Sequence, residues 1–188
     1  MKKIWIGIAS LCGWKFDIPA EGERAELQRG VYIEAPHTSI CDFFLGAACV
    51  WKLNVNARIF MKKEFFNWFT RRALTHFGVV PVDRGNRHNG LVGQAVKQFS
   101  ENERMVFVIT PEGTRKKVKR WKRGFYEIAT QANVPIILTY IDYGRKVMGV
   151  GPAFYPTGDF DADMPQIMDF YRNIRARHPE RFDREAYR

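Results

Sequence analysis

Cysteine is scarce in this sequence, and its positions show no pairing pattern. The 188 residues include three cysteines, Cys12, Cys41 and Cys49, and no two of them form a C-x-x-C pair. An odd, unpaired set argues against a disulfide framework and favours a reducing environment. The four histidines show none of the spacings that zinc sites use, so we expect no metal site.

Long hydrophobic runs are also missing. The longest apolar stretch at the N-terminus, Ile4 to Trp14, has eleven residues, whereas a membrane-spanning helix needs about 20. Two lysines precede it, as in a signal peptide, but no small-x-small cleavage site follows before Phe16. We therefore expect a peripheral anchor or the edge of the core here, and we interpret residues 1–29 as a membrane-proximal segment.

The sequence has no internal repeat and no low-complexity linker, so we expect one domain over residues 1–188. Apolar runs typical of strands alternate with amphipathic helical patterns, which predicts an α/β domain with a largely parallel or mixed central sheet flanked by helices. Residues 30–140 carry the motifs described below. Asp163 is the predicted N-cap of the last helix, and the polar tail, residues 179–188, is predicted to fray.

Positive charge dominates: the formal net charge is +10. A polyanionic partner explains such an excess, and nucleic acid, anionic lipid headgroups, coenzyme A and an acidic carrier protein all qualify. The basic run 116–123 contains Trp121 and has the composition of a nucleic-acid patch. We favour contact with lipid phosphates or with the anionic handle of an acyl donor, and we expect no nucleic-acid partner.

Aromatic residues crowd into one short segment, Lys62 to Ala73, between pairs of basic residues. Its aromatic members are Phe65, Phe66, Trp68 and Phe69. This composition is typical of an interfacial helix on anionic lipid. A buried aromatic helix with solvated ends explains it equally well.

A histidine and an aspartate, His37 and Asp42, stand where a predicted strand passes into a predicted helix. If His37 lies in the loop and Asp42 in the first helical turn, the carboxylate can bind one imidazole nitrogen and leave the other as a base. On a continuous helix the five-residue step would rotate the two side chains apart. Pro36 favours the non-helical entry that the pairing needs.

Two further polar loops follow predicted strands, and each contains an arginine. One contains Arg84; the other contains Glu112, Gly113, Thr114 and Arg115. The carboxyl ends of parallel strands meet at one edge of a sheet, so these loops and His37 are predicted to share a cleft. Arginine grips phosphate in a bidentate manner, and a glycine amide and a hydroxyl can bind the same anion.

Four blocks in this order resemble those of the glycerophospholipid acyltransferase superfamily, the lysophosphatidate acyltransferase-like enzymes. The blocks are His37-x-x-x-x-Asp42, Gly78-x-x-Pro81-Val82-x-Arg84, Pro111-Glu112-Gly113-Thr114-Arg115 and Val134-Pro135-Ile136-Ile137. The chain departs from the family's usual pattern at Thr110, Leu138 and Pro36, and fewer residues than usual precede His37.

The resemblance implies a transferase that works without a cofactor and takes an acyl-CoA or acyl carrier protein thioester as co-substrate. His37 would be the general base on an acceptor hydroxyl, and Asp42 would fix its tautomer. Arg84, Glu112, Gly113, Thr114 and Arg115 would hold the acceptor's phosphate, with Glu112 orienting an arginine. The implied acceptor is a lysophosphatidate-like lipid, and the implied location is the cytoplasmic face of a membrane, as a peripheral protein.

Three alternatives stay open. The acceptor is another lyso-lipid, such as an acylated amino-acid lipid without phosphate. The protein is a basic binding module for anionic lipid or nucleic acid, without catalysis. Cys41 lies close enough to His37 in sequence to suggest a cysteine–histidine acyl-enzyme, although we expect its helix to turn it toward packing.

Overall fold

A single mixed sheet organises the molecule. The computed structural model describes residues 2–82 and 90–186. Its seven strands are β1 (Lys15–Asp17), β2 (Gly30–Glu34), β3 (Ala57–Lys62), β4 (Val79–Val82), β5 (Val106–Ile109), β6 (Ile136–Asp142) and β7 (Val147–Phe154). Their spatial order is β1-β7-β6-β2-β5-β3-β4. All neighbours are parallel except β6 and β7, which confirms the predicted α/β fold.

Six α-helices are present in the described part of the chain and flank this sheet. They are α1 (Lys2–Leu11), α2 (Ile40–Leu53), α3 (Trp68–His76), α4 (Leu91–Glu101), α5 (Gly124–Ala132) and α6 (Phe160–Tyr171). Short 3-10 helices occupy Glu21–Glu23, Glu26–Gln28, Lys63–Phe65 and Pro179–Arg181. Among the described residues, none of the helices has the length and apolarity that crossing a bilayer requires.

The central strand β2 separates two hydrophobic clusters. All five of its residues are buried, and its side chains alternate between the faces of the sheet, as the pleat requires. Val31 and Ile33 join the larger cluster with residues of α4, α5 and α6. Tyr32 joins the smaller cluster, which includes residues of α1 and α2. The sheet is therefore covered on both faces, as expected for a parallel arrangement.

The register of β2 and β5 brings two of the predicted loops side by side. Ile33 pairs with Ile109 near the carboxyl ends of these parallel neighbours. The His37 loop and the loop from Thr110 to Arg115 therefore leave the same edge of the sheet from adjacent positions. β4, which precedes Arg84, lies at the end of the sheet, with β3 between it and β5.

The predicted N-cap of α6 was wrong. Asp159 caps this helix by accepting hydrogen bonds from the amides of Asp161 and Ala162. Asp163 is instead buried within the helix, where it accepts a 2.6 Å hydrogen bond from the Tyr126 hydroxyl. Both aspartates satisfy the sequence pattern for a cap, so only the path of the chain distinguishes them.

The tail packs against the domain over its described part, residues 179–186, where the sequence predicts fraying. Phe182 is 9% exposed and Ala186 1%. The Trp121 amide donates to the Ala186 carbonyl at 2.8 Å. Two apolar side chains and a backbone hydrogen bond therefore offset the entropy of ordering this polar segment.

Candidate active site

The N-terminus of α2 builds the His37–Asp42 motif. Ser39 is its N-cap, and Asp42 at the third helical position completes a capping box. Asp42 Oδ2 accepts hydrogen bonds from the amides of Thr38 and Ser39, both at 2.8 Å. The carboxylate is fully buried, so the residue that would orient the base is itself fixed by the start of the helix.

Tyr143 holds the other oxygen of this carboxylate. Its hydroxyl donates to Asp42 Oδ1 at 2.6 Å. Burial by itself raises the pKa of Asp42, but hydrogen bonds from His37, Tyr143 and the Ser39 and Thr38 amides together lower it below its ordinary value. Asp42 is therefore an anion at neutral pH, as an imidazole partner requires. Sequence reasoning missed Tyr143, which lies 101 residues further along the chain.

His37 faces Asp42 through Nδ1. The distance from Nδ1 to Asp42 Oδ2 is 3.4 Å, and the side chain is 17% exposed. This separation is long for a hydrogen bond, as is common in catalytic pairs without bound substrate. The structure therefore brings the two predicted residues together, with Nδ1 of His37 on the side of the Asp42 carboxylate.

Glu112 contacts the loop that carries His37. Its Oε1 accepts a 3.0 Å hydrogen bond from the His37 amide, and the residue is 5% exposed. Burial raises the pKa of Glu112 to about 8; hydrogen bonds from the His37 and Glu112 amides oppose this, and the Asp42 charge adds to it. The expected role of Glu112 in orienting an arginine stays a prediction.

Gly113, Thr114 and Arg115, in the same loop as Glu112, are exposed, and Gly113 and Arg115 line a cavity. Gly113 has φ +64° and packs against Lys122, whose Nζ lies 2.7 Å from where a Cβ would stand. The Gly113 amide donates to Thr110 in a turn, so this amide is already engaged. Thr114 Oγ1 accepts from the Lys116 amide at 3.3 Å. Arg115 and Lys122 line the cavity mouth as cations.

Arg84 lies outside the described residues, and its predicted role therefore stays a prediction. Within residues 2–82 and 90–186, no three potential metal ligands lie together. Cys41 Sγ accepts a 2.7 Å hydrogen bond from Arg177.

Glu34, at the end of β2, is a third carboxyl group beside His37 and was missed from the sequence. Its Oε1 lies 4.0 Å from His37 Nδ1. The side chain is one-tenth exposed, and Oε1 has no hydrogen-bond partner among the described residues. Burial raises the pKa of Glu34 well above its ordinary value, and the charges of Asp42 and Glu112 raise it further. The sequence signal that could have identified Glu34 is a glutamate in an otherwise apolar strand.

A mainly apolar cavity of about 780 Å³ opens beside His37. Side chains from α2, β3, α3, α4 and β5 form its wall, including Phe43, Trp51, Phe60, Phe77 and Phe107. Glu34 and His37 lie in the same wall. The site thus combines a histidine, a mainly apolar cavity and two basic side chains, Arg115 and Lys122.

Comparisons with known proteins agree with this geometry. A family model described as Acyltransferase matches residues 18–141. The crystal structure of the 1-acyl-sn-glycerophosphate (LPA) acyltransferase PlsC from Thermotoga maritima aligns with a TM-score of 0.61 at 13% identity, over 92% of this chain and 76% of that one. At that identity, the likeness concerns the fold. No curated protein matches the chain significantly. Because the family model covers more than half of its residues, the chain belongs to the acyltransferase family.

Proposed function

We propose that this acyltransferase moves a fatty acyl group from a coenzyme A or acyl-carrier-protein thioester to the hydroxyl of a lysophosphatidate-like lipid. The observation that carries the proposal is the position of His37, held between Asp42 and the Glu112 contact at the wall of an apolar cavity. The similarity to a solved 1-acyl-sn-glycerophosphate acyltransferase supports this acceptor class.

The reaction needs one proton to move twice. His37 Nε2 takes the proton of the acceptor hydroxyl while its oxygen attacks the thioester carbonyl carbon. The resulting imidazolium is stabilised by the Asp42 carboxylate. Collapse of the tetrahedral intermediate breaks the carbon–sulfur bond, and the proton passes to the leaving thiolate. General-base assistance of this kind contributes about 10² to 10⁴ in rate.

Cations at the cavity mouth suit an anionic headgroup. Arg115 and Lys122 flank Gly113, whose missing side chain leaves room for Lys122 to approach the backbone. The Thr114 hydroxyl can still donate, since its oxygen only accepts in its present contact. We assign the acceptor phosphate to these three residues, with Arg84 as a further candidate.

The cavity suits a lipid chain. Its volume of about 780 Å³ lies within the range of roughly 300–1,000 Å³ typical of small-molecule sites. Its aromatic and aliphatic wall offers hydrophobic contacts along its length, and His37 stands at its edge. A chain lying there has its reacting carbonyl within reach of the base.

Exposed apolar side chains on α1 and α3 suit a membrane surface. Trp68 and Phe69 at the start of α3 are 84% and 80% exposed, and Leu11 of α1 is 89% exposed. Phe44, which lines the cavity, stacks on Trp5 of α1 at 5.5 Å. We propose that this surface docks peripherally on the cytoplasmic face of an anionic membrane. The basic face then attracts coenzyme A or an acidic carrier protein.

The test is a transfer assay with purified protein. Acyl-CoA and acyl carrier protein donors are each offered with lysophosphatidate and with a phosphate-free lyso-lipid. We expect transfer to lysophosphatidate, and a fall of at least about a hundredfold in His37→Ala. Normal turnover by His37→Ala would refute the base assignment. Wild-type transfer only to phosphate-free acceptors would refute the acceptor class.

A further inference from the structure

The proposed reaction assigns no role to the buried carboxyl group of Glu34. It is 8% exposed and belongs to the wall of the apolar cavity, next to His37. Its Oε1 has no hydrogen-bond partner among the described residues. Buried polar groups are nearly always hydrogen-bonded, so an unpaired one beside a reaction centre calls for an explanation.

A glycine opposite Glu34 leaves space for its carboxyl group. Gly46 of α2 faces the carboxyl group, and a Cβ there would collide with Glu34 Oε2. The helix therefore passes close to the carboxyl group without covering it with a side chain. Burial, and then the neighbouring carboxyl groups of Asp42 and Glu112, raise the pKa of Glu34 well above its ordinary value, which favours the protonated form. A neutral carboxyl group both donates and accepts a hydrogen bond.

We propose that Glu34 is a specificity residue that binds a hydroxyl group carried by the acyl chain in the cavity, two or three carbons from its carbonyl. This inference rests on the proposed function and names its substrate more closely. Glu34 and His37 line the same cavity, and Glu34 Oε1 lies 4.0 Å from the His37 ring at Nδ1. A chain whose carbonyl is bound at His37 therefore passes Glu34 within its first few carbons. A 3-hydroxyacyl chain carries its hydroxyl at that position.

The same chemistry can come from either substrate, since a hydroxylated chain can belong to the thioester donor or to the lyso-lipid acceptor. A plain alkyl chain leaves the carboxyl group unpaired in both cases. Sites built to hydrogen-bond a substrate hydroxyl discriminate against analogues that lack it. Glu34 therefore favours the hydroxylated chain.

The experiment compares matched substrates on the full chain. In the donor arm, 3-hydroxytetradecanoyl-CoA and tetradecanoyl-CoA are each paired with plain lysophosphatidate. In the acceptor arm, tetradecanoyl-CoA is paired with lysophosphatidates that carry or lack a 3-hydroxyl on their chain. A binding arm measures displacement of a fluorescent fatty acid by 3-hydroxytetradecanoic or tetradecanoic acid, which requires no turnover.

We expect wild type to prefer the hydroxylated compound about tenfold in one kinetic arm and in the binding arm, a factor that one hydrogen bond commonly supplies. Glu34→Leu should abolish this preference, while Glu34→Gln, which still donates and accepts, should keep part of it. Gly46→Ala displaces the carboxyl group without removing it, and so should also weaken the preference. Melting temperatures establish that each variant is folded.

The inference would be overturned if wild type transferred and bound the hydroxylated and plain compounds equally well. A preference for the hydroxylated compound that survives in Glu34→Leu would also overturn it. If wild type transfers no acyl group from any donor, the proposed function fails. The binding arm then still decides the role of Glu34, because it measures the wild-type preference without turnover.

Discussion

Three carboxyl groups surround a single imidazole, and their environments give them different protonation states. Hydrogen bonds lower the pKa of Asp42, whereas burial raises those of Glu34 and Glu112. Groups whose environments separate their pKa values commonly take separate roles. Asp42 carries the negative charge beside His37, Glu112 positions the His37 backbone, and Glu34 faces the cavity.

Replacing Glu112 by glutamine tests whether burial raises the pKa of this carboxyl group, because glutamine does not ionise. In the unfolded chain this carboxyl group ionises near its ordinary pKa of 4.5, whereas in the folded protein it ionises at about 8. Between these values the unfolded state binds fewer protons, so wild-type stability falls as pH rises. Glu112→Gln cannot ionise and still accepts the His37 hydrogen bond. Its advantage in free energy of unfolding should grow from pH 5 to pH 8, to about 1–3 kcal/mol.

Chemical denaturation at several pH values measures this difference. Glu127→Gln, which changes an exposed carboxyl group on α5, is the matched control and should show little pH-dependent difference from wild type. A constant gap between Glu112→Gln and wild type from pH 5 to pH 8 would contradict the raised pKa.

At the scale of elements, α2 and the turn between β6 and β7 share the site. The capping box at Ser39 fixes one oxygen of Asp42, and Tyr143 in that turn fixes the other. The α2 N-terminus also favours the negative charge through its dipole. The orientation of the base therefore depends on two elements far apart in sequence.

Tyr143→Phe removes the hydrogen bond between these elements and leaves a buried Asp42 oxygen unpaired. We expect the free energy of unfolding to fall by about 1–3 kcal/mol, the cost of leaving a buried polar atom without its hydrogen-bond partner. We expect kcat to fall about tenfold with little change in KM for the acceptor, since the phenol acts through Asp42. Steady-state kinetics and denaturant unfolding measure both effects. Tyr155→Phe, at an exposed tyrosine, is the control; a loss of stability with unchanged kcat would limit Tyr143 to a structural role.

At the scale of the whole molecule, the exposed aromatic residues of α3 lie on a helix that also lines the cavity. Residues of α2 and α3 line the cavity, and α3 also exposes Trp68 and Phe69. Tyr155 lies elsewhere: it follows Phe154, which pairs with Ile136 at the amino end of β6. The exposed aromatic residues are thus divided between opposite edges of the sheet.

This division provides a matched test of membrane docking. Replacing both Trp68 and Phe69 by alanine should weaken binding to anionic vesicles by roughly tenfold or more, because each aromatic side chain contributes apolar area on insertion. Tyr155→Ala should bind like wild type. Vesicle flotation at physiological salt measures both variants, and equal losses in the two would mean that α3 does not face the membrane.

Sequence patterns predicted the architecture and the proximity of His37 and Asp42, because both depend on local spacing. Alternating apolar runs predicted the α/β sheet, and the step from His37 to Asp42 across a helix start predicted their contact. Tyr143 and the contact of Glu112 with the His37 amide were not predicted, since each depends on packing between distant segments. The frayed tail and the Asp163 cap were wrong for the same reason: burial of Phe182 and Asp163 follows from tertiary neighbours.

By itself, the sequence determined the order of elements, the excess of positive charge and the residue types available at the ends of the strands. Only the tertiary structure decided which of those residues meet, because adjacency of β2 and β5 is a property of strand order rather than of any local pattern. The same holds for Glu34. Its burial and its place in the cavity wall depend on the close approach of α2 at Gly46. Residue spacing along the chain does not predict that approach.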